Sequence, residues 1–263
     1  MGTRRLLLAR RQLSEATRRT QSGRFLRITL PCTINRLGPS RELGAAREVL
    51  GSRPNVRRRS SSRPKLMGGA VTTSLPPDGV FVHPCGLCDS QEIGHGTRIW
   101  AFAHVLAGAR IGRDCNICDG AFVENGASIG DRVTVKNQVM IFEGVHVGDD
   151  VFLGPGVIFT NDLRPRALIK RHGAELLPTI VQQGATLGAG VVVVCGVTLG
   201  EHAFIGAGAV VTEDVPAHGF VVGNPGRRIG WACTCGERLP ADLRCRCGRV
   251  FEREGSGLRQ QLA

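Results

Sequence analysis

The feature that most constrains this chain is a six-residue repeat. Aliphatic or aromatic side chains stand at Phe81, Leu87, Ile93, Ile99, Val105, Ile111 and every sixth position onward to Phe159, fourteen in phase. The period resumes at Val181, Leu187, Val193, Leu199, Ile205 and Val211. Two residues before many of them the side chain is small, as at Ala103, Ala109, Cys115, Ala121 and Ala127. An amphipathic helix repeats every 3.6 residues and a half-buried strand every two, so neither accounts for this pattern. A fixed period held so long predicts a solenoid, in which each unit buries its apolar side against its neighbours. Sandwich strands do not keep a constant spacing, which argues against an ordinary β-sandwich.

A second interval sets the geometry. Gly94, Gly112, Gly130 and Gly148 each follow a repeat residue and lie 18 apart, and Gly188 and Gly206 keep the same interval. Three six-residue sides per turn describe a triangular coil with these glycines stacked at one corner, where glycine tolerates strained φ/ψ. The expected fold is all-β, a parallel β-helix of about six to seven coils. With 36 glycines and no tyrosine, the composition suits such an aliphatic, repetitive core. The two blocks are out of step, so residues 160–179 leave the coil as a loop, TNDLRPRALIKRHGAELLPT, carrying Arg164, Arg166, Lys170 and Arg171. A long excursion from a regular scaffold is a usual place for function. The plainer reading is a surface loop whose cations face solvent.

Charge divides the chain. The formal net charge is +12, yet residues 1–70 hold 17 Lys and Arg against 3 Asp and Glu, leaving 17 basic and 19 acidic groups for the other 193 residues. The basic excess is therefore a property of one segment, which argues against nucleic acid as the partner of the folded part. Residues 1–70 are too poor in apolar groups to offset the entropy of ordering, so a disordered segment is expected. A basic arm, a transit peptide and an over-extended N-terminus with the start at Met67 are its three readings. No run of 18 apolar residues predicts a membrane span, no secretory signal is evident, and a cytoplasmic setting is expected.

Several motifs together resemble the hexapeptide-repeat acyltransferases: the repeats themselves and the closing segment GAGAVVTEDVPAHGFVVGNPGRRIGW, Gly206 to Trp231. Within them, RIWAFAHV (Arg98–Val105), GARIGRDCNI (Gly108–Ile117), FTNDLRPRA (Phe159–Ala167) and the run from Pro178 to Ala189 are similar to N-acetyltransferases acting on nucleotide-linked 3-amino sugars, best known for UDP-2-acetamido-3-amino-2,3-dideoxyglucuronate. The resemblance covers roughly residues 80–250. It implies a left-handed β-helix over residues 71–230, a homotrimer with active sites between subunits, acetyl-CoA as donor and, as acceptor, the amino group of a nucleotide-linked amino sugar, first a UDP-3-amino-sugar acid destined for surface polysaccharide. A dTDP-amino sugar and a non-catalytic scaffold are the alternatives. The chain departs from the family where it has Arg164 in place of a second polar Asn, and Asn137, Gln138 and Phe142 where two asparagines and a tyrosine are common. A zinc carbonic anhydrase of the same architecture needs converging histidines with a pair five residues apart, and the seven histidines show none.

Acetyl transfer to an amine needs a neutral amine, a donor to the developing oxyanion and alignment of the substrates. A sugar-ring amine should titrate near an α-amino group, at roughly 8, so alignment can supply most of the catalysis. Asn161 matches the family's functional asparagine in FTN and would orient the amine; as a turn residue it would only cap the loop. His104 precedes the inward Val105 and points outward, to move protons or to pack between subunits. His146 has the same phase. Arg164 and Arg166 suit a diphosphate, and Asn137 and Glu143 are counted with the acceptor site. For the coenzyme, Gly188, Ala189, Gly206, Ala207 and Ala209 would let a pantetheine arm approach, with Asn224, Arg227 and Arg228 near its phosphates. Corner geometry explains the glycines equally well.

Residues 231–254 form a Cys-rich module, with 255–263 as a tail. Cys233, Cys235, Cys245 and Cys247 make two CxCG units. They read either as a structural zinc site, with a shorter gap than the usual two residues within each pair, or as free thiols.

Overall fold

Inward positions recur every sixth residue because each side of a coil is a two-residue strand followed by a four-residue turn. The computed structural model describes residues 77–261. The Arg-rich segment, with all of residues 1–76, and residues 262–263 lie outside the described residues. Three parallel sheets form the faces of a left-handed triangular solenoid. The first runs from Phe81–Val82 through Arg98–Ile99 and five further strands to Gly219–Val222, eight parallel strands in all, and Arg227–Trp231 closes it antiparallel. The second carries seven strands, from Leu87–Cys88 to Val210–Val211. The third carries five, from Arg110–Ile111 to Thr198–Leu199, extended by the bridges Ile93↔Ile111 and Leu199↔Val215. Two faces thus have seven rungs and one has eight, slightly more than the expected six to seven coils.

From Ile99 to the loop, pairing partners stand 18 apart, as in Asn116↔Thr134 and Ile117↔Val135, against 17 in the first coil and 16 in the last. Across the loop Phe152 pairs with Thr186, so the excursion inserts 16 residues without disturbing the stack. The interior is a column of Val, Ile and Leu, with Ile99, Val105, Ile117, Val123, Leu153 and Phe159 fully buried. Each such side chain contributes about 1.5–3 kcal/mol before entropy is subtracted. The residues two positions before the repeat residues are buried at the turns as well, Ala103, Ala109, Ala127 and Ala185 along with Val133, Val139, Val151 and Val157.

Two expectations need correction. Phe81 and Leu87 are 45% and 55% exposed; the inward residues are Val82 and Cys88, paired with Ile99 and Val105. The first corner on the third face is one residue short, and Ser90 makes this possible. Its hydroxyl donates to Ala109 O (2.6 Å) and accepts from the Glu92 amide (3.0 Å), closing a tighter turn. Nor do the glycines 18 apart serve strained dihedrals. None of Gly94, Gly112, Gly130, Gly148, Gly188 or Gly206 has a positive φ. A Cβ at Gly112 would lie 2.6 Å from the Gly130 carbonyl carbon, so the coils stack too closely for any side chain there. They also occupy two corners: the first four follow the third face, whereas Gly188 and Gly206 follow the first, above Gly154.

The C-terminal module keeps its own small core of Trp231, Leu239, Phe251 and Leu258. It reaches beyond the expected boundary at 254, because Gly257–Gln260 pairs antiparallel with Phe251–Glu254 rather than trailing as a tail.

Candidate active site

The loop leaves the second face at Thr160 and rejoins the third at Thr179–Val181. Its neck is closed by the Leu177 amide donating to Asn161 O (3.2 Å), while Thr160 Oγ1 accepts from the Cys195 amide (3.0 Å). Inside the loop Arg171 Nη1 meets Asp162 Oδ2 at 3.1 Å and donates to Arg164 O at 2.6 Å. The Arg164 backbone amide, followed by the Arg171 guanidinium, holds the Asp162 carboxyl below the usual carboxylate range. Arg171 is therefore engaged in shaping the loop.

Between loop and coil lies a cavity of about 480 Å³. Asn161, Arg166, Lys170 and His172 line it from the loop, and Glu124 and Glu143 from the coil. Coil stacking explains the grouping. Glu124 and Thr160 are the first corner residues after the inward Val123 and Phe159, and Glu143 and Asn161 are the second corner residues of adjacent coils. Glu124 Oε2 accepts from the Glu143 backbone amide at 2.8 Å, which holds the Glu124 carboxylate against the next coil. The result is an acidic floor beneath a cationic rim, suited to a molecule with an amine at one end and phosphates at the other.

Of the expected residues, Asn161, Arg166 and Glu143 come together here. Arg164 instead faces an adjacent cleft of about 280 Å³ with Glu175 and Leu177. Asn137 lies at the corner between the first and second faces, its carbonyl accepting from the Gly156 amide at 2.9 Å. His104 stands on the second face, outside the cavity lining, with Nε2 at 3.0 Å from Asp89 Oδ2 and its ring edge-on to Phe122. His146 Nδ1 is 2.7 Å from Ser128 Oγ on the third face.

At the expected coenzyme side, Gly188 and Gly206 sit beside the exposed Ala189 and Ala207. Ala209 is fully buried in the core, backbone included, and so offers no surface to a ligand, contrary to expectation. Asn224 is exposed in the turn before Arg227–Trp231. Arg227 and Arg228 line a cleft of about 210 Å³ together with Glu213 and Asp214, and the Arg228 guanidinium lies 4.2 Å from the Trp231 ring centre. In the C-terminal module the Sγ atoms of Cys233, Cys235, Cys245 and Cys247 all lie within 4.8 Å of one another. The single-residue gap does not keep them apart.

Glu124, His172 and Asp89 escaped the sequence reading, whereas Lys170 was visible only as one of the loop's cations. The 18-residue interval, applied to polar corner residues as well as apolar ones, brings Asn161 over Glu143. Asp89 carried no such signal, because it lies in the shortened first corner, 15 residues from His104.

The family model described as bacterial transferase hexapeptide (six repeats) matches residues 92–125 and 178–213. The chain is 49% identical over 175 residues to dTDP-3-amino-3,6-dideoxy-α-D-galactopyranose 3-N-acetyltransferase of Aneurinibacillus thermoaerophilus, covering 65% of this chain and 90% of that protein. Among solved structures, the acetyltransferase domain of PglB from Neisseria gonorrhoeae with acetyl coenzyme A aligns at 22% identity and a TM-score of 0.36, covering 59% of this chain and 58% of that one. A point mutant of perosamine N-acetyltransferase from Caulobacter crescentus, in complex with CoA and GDP-perosamine, aligns at 23% identity and a TM-score of 0.32, covering 60% of this chain and 58% of that one.

Proposed function

We propose, from the premise that this chain belongs to the bacterial hexapeptide-repeat transferases, that it moves an acetyl group from acetyl-CoA to the amino group of a nucleotide-linked amino sugar. The observation that carries this reading is Asn161 set beside Glu124 and Glu143, beneath Arg166 and Lys170, in one cavity. The name of the 49%-identical relative supports the same acceptor class. The amine enters toward the acidic floor and the diphosphate toward the cationic rim. Asn161 Oδ1 accepts from an amine N–H and aims the nitrogen lone pair at the thioester carbonyl carbon. The N–C bond forms, the C–S bond breaks, and the departing thiolate or a floor carboxylate takes the amine proton. Alignment, worth several orders of magnitude, is the main contribution.

The coenzyme would follow the corner of Gly188, Ala189, Gly206 and Ala207, with its phosphates near Asn224, Arg227 and Arg228. His104 does not line this cavity, so it reaches a substrate only across a subunit boundary, which the expected homotrimer would supply. Asp89 would then hold its imidazole in orientation. A cytoplasmic setting fits the substrates, and among the described residues no helix is long and apolar enough to cross a membrane.

Between a UDP-3-amino-sugar acid and a neutral dTDP-3-amino sugar, Glu124 and Glu143 favour the neutral one. A uronic carboxylate ~5 Å from either would cost about 3 kcal/mol at an effective dielectric near 20. The test is thiol release from acetyl-CoA with a panel of both sugar types. Turnover of the neutral sugar is expected, falling about a hundredfold in Asn161→Ala. Absence of turnover on every amino sugar, or an unchanged rate in Asn161→Ala, would overturn the reading. Preference for the acid would overturn the sugar assignment alone.

A further inference from the structure

We propose that Cys233, Cys235, Cys245 and Cys247 bind one zinc ion as thiolates, and that this ion pins the C-terminal module over the last coil of the solenoid. The four sulfurs converge on a single point. Tetrahedral zinc with Zn–S bonds of ~2.3 Å requires S···S separations of about 3.8 Å. Cys233–Cys247 and Cys235–Cys245 are each 3.6 Å apart, and every pair is within 4.8 Å.

The backbone presents the thiols through two matching turns. In the first, the Gly236 amide donates to Cys233 O (2.9 Å) and the Cys233 amide to Glu237 O (2.8 Å). In the second, Gly248 donates to Cys245 O (3.0 Å) and Cys245 to Arg249 O (2.8 Å). Gly236 and Gly248 share φ +89, a left-handed conformation that lets the chain fold back beneath the thiols. The Arg249 guanidinium donates to Cys247 Sγ at 3.2 Å, a partner that offsets the negative charge of a four-thiolate site.

Size supplies an independent argument. The module's core is a handful of side chains led by Trp231, Leu239, Phe251 and Leu258. A unit of a few dozen residues rarely holds together without a metal or cross-links. What it holds onto is also visible. The Leu258 amide donates to Ala217 O (3.2 Å) and the Ala232 amide to His218 O (2.8 Å), while Phe251 packs edge-on against the His218 ring at 4.9 Å. The module covers the terminal coil, and solenoids need such capping at their ends.

The experiment is metal analysis of the full chain purified under reducing conditions. About one zinc per chain is expected, replaceable by cobalt(II) with a sulfur-to-cobalt charge-transfer band, and lost in Cys235→Ser/Cys247→Ser. Chelation of the wild-type protein should also raise hydrogen exchange at the amides of residues 217–222, a readout that does not depend on the variant folding. Less than a tenth of a zinc per chain, iron in its place, or disulfides joining Cys233 to Cys247 and Cys235 to Cys245 would overturn the metal assignment. Unchanged exchange after zinc removal would overturn the capping role.

Discussion

Gly154 and Gly156 lie in one turn and are glycine for opposite reasons, which makes them a direct test of how the coils are held. Gly154 has no positive φ, but a Cβ there would lie 2.7 Å from Gly188 C and 2.8 Å from Ala189 N and Leu187 O, all backbone of the next coil. Gly156 has φ +69 and nothing within 4 Å of a would-be Cβ. In Gly154→Ala the next coil must retreat by about 0.7 Å to reach ordinary contact at 3.4 Å. That stretches the Gly154 N–H···O Leu187 bond, now 2.8 Å, to the edge of hydrogen bonding. Overpacking costs about 1–3 kcal/mol and the weakened hydrogen bond about 1 more. Gly156→Ala carries only the left-handed penalty of about 1–2 kcal/mol. At roughly 2–4 °C per kcal/mol for a domain of this size, the melting temperature should fall by about 10 °C in the first and about 4 °C in the second. Asparagine sharpens the contrast, since it tolerates left-handed φ but is larger than alanine. At 156 the order of stability should be Gly, Asn, Ala; at 154 it should be Gly, Ala, Asn. Thermal unfolding followed by circular dichroism measures all four variants. The same order at both positions would refute the distinction.

Two further outcomes concern buried polar groups. His218 is 4% exposed and stacks on His202, ring centres 5.1 Å apart, and burial pushes both imidazoles below their ordinary value of 6.5. Burial disfavours the charged form in the folded chain, so stability falls as pH drops below about 6.5, where the unfolded chain binds more protons. Burial is the leading cause at both, and at His218 it is opposed first by the Ala232 carbonyl. The melting temperature should drop between pH 7 and 5, less steeply in His218→Gln; parallel profiles would sink this account. Thr179, where the loop rejoins the third face, is fully buried, and its hydroxyl is the one buried side-chain N or O atom without a hydrogen-bond partner among the described residues. Thr179→Val removes that group at nearly constant shape and should stabilise by about 1 kcal/mol. A lower urea midpoint in this variant would contradict it.

Much of the architecture was legible because a solenoid repeats one local decision. An aliphatic residue every sixth position buries itself whichever coil it belongs to, so Ile99 to Phe159 could be placed inside without knowing any contact. The pattern misled at Phe81 and Leu87, where apolar residues happen to stand in phase while Val82 and Cys88 take the interior. A one-residue deletion at a corner is invisible to periodicity when neighbouring positions are both apolar. Asn161 and Arg166 were legible as members of an interruption, and the two CxCG units by their spacing. Glu124 looked like any solvated corner residue.

The sequence by itself determined the triangular coil, the place where the loop departs and the identity of the thiols, because each depends on order along the chain. The tertiary structure alone decided which side chains meet. It joined Asn161 to Glu143 and Glu124, His104 to Asp89, and Arg171 to Asp162, and it turned the glycines from dihedral specialists into spacers. Apart from the Arg171–Asp162 pair, which closes within the loop, these outcomes depend on the stacking of one coil on the next, in contacts between residues many positions apart. Their geometry is set by how many residues each corner consumes. One residue fewer at Ser90, or sixteen more after Phe159, shifts which polar groups face each other while leaving the apolar period intact.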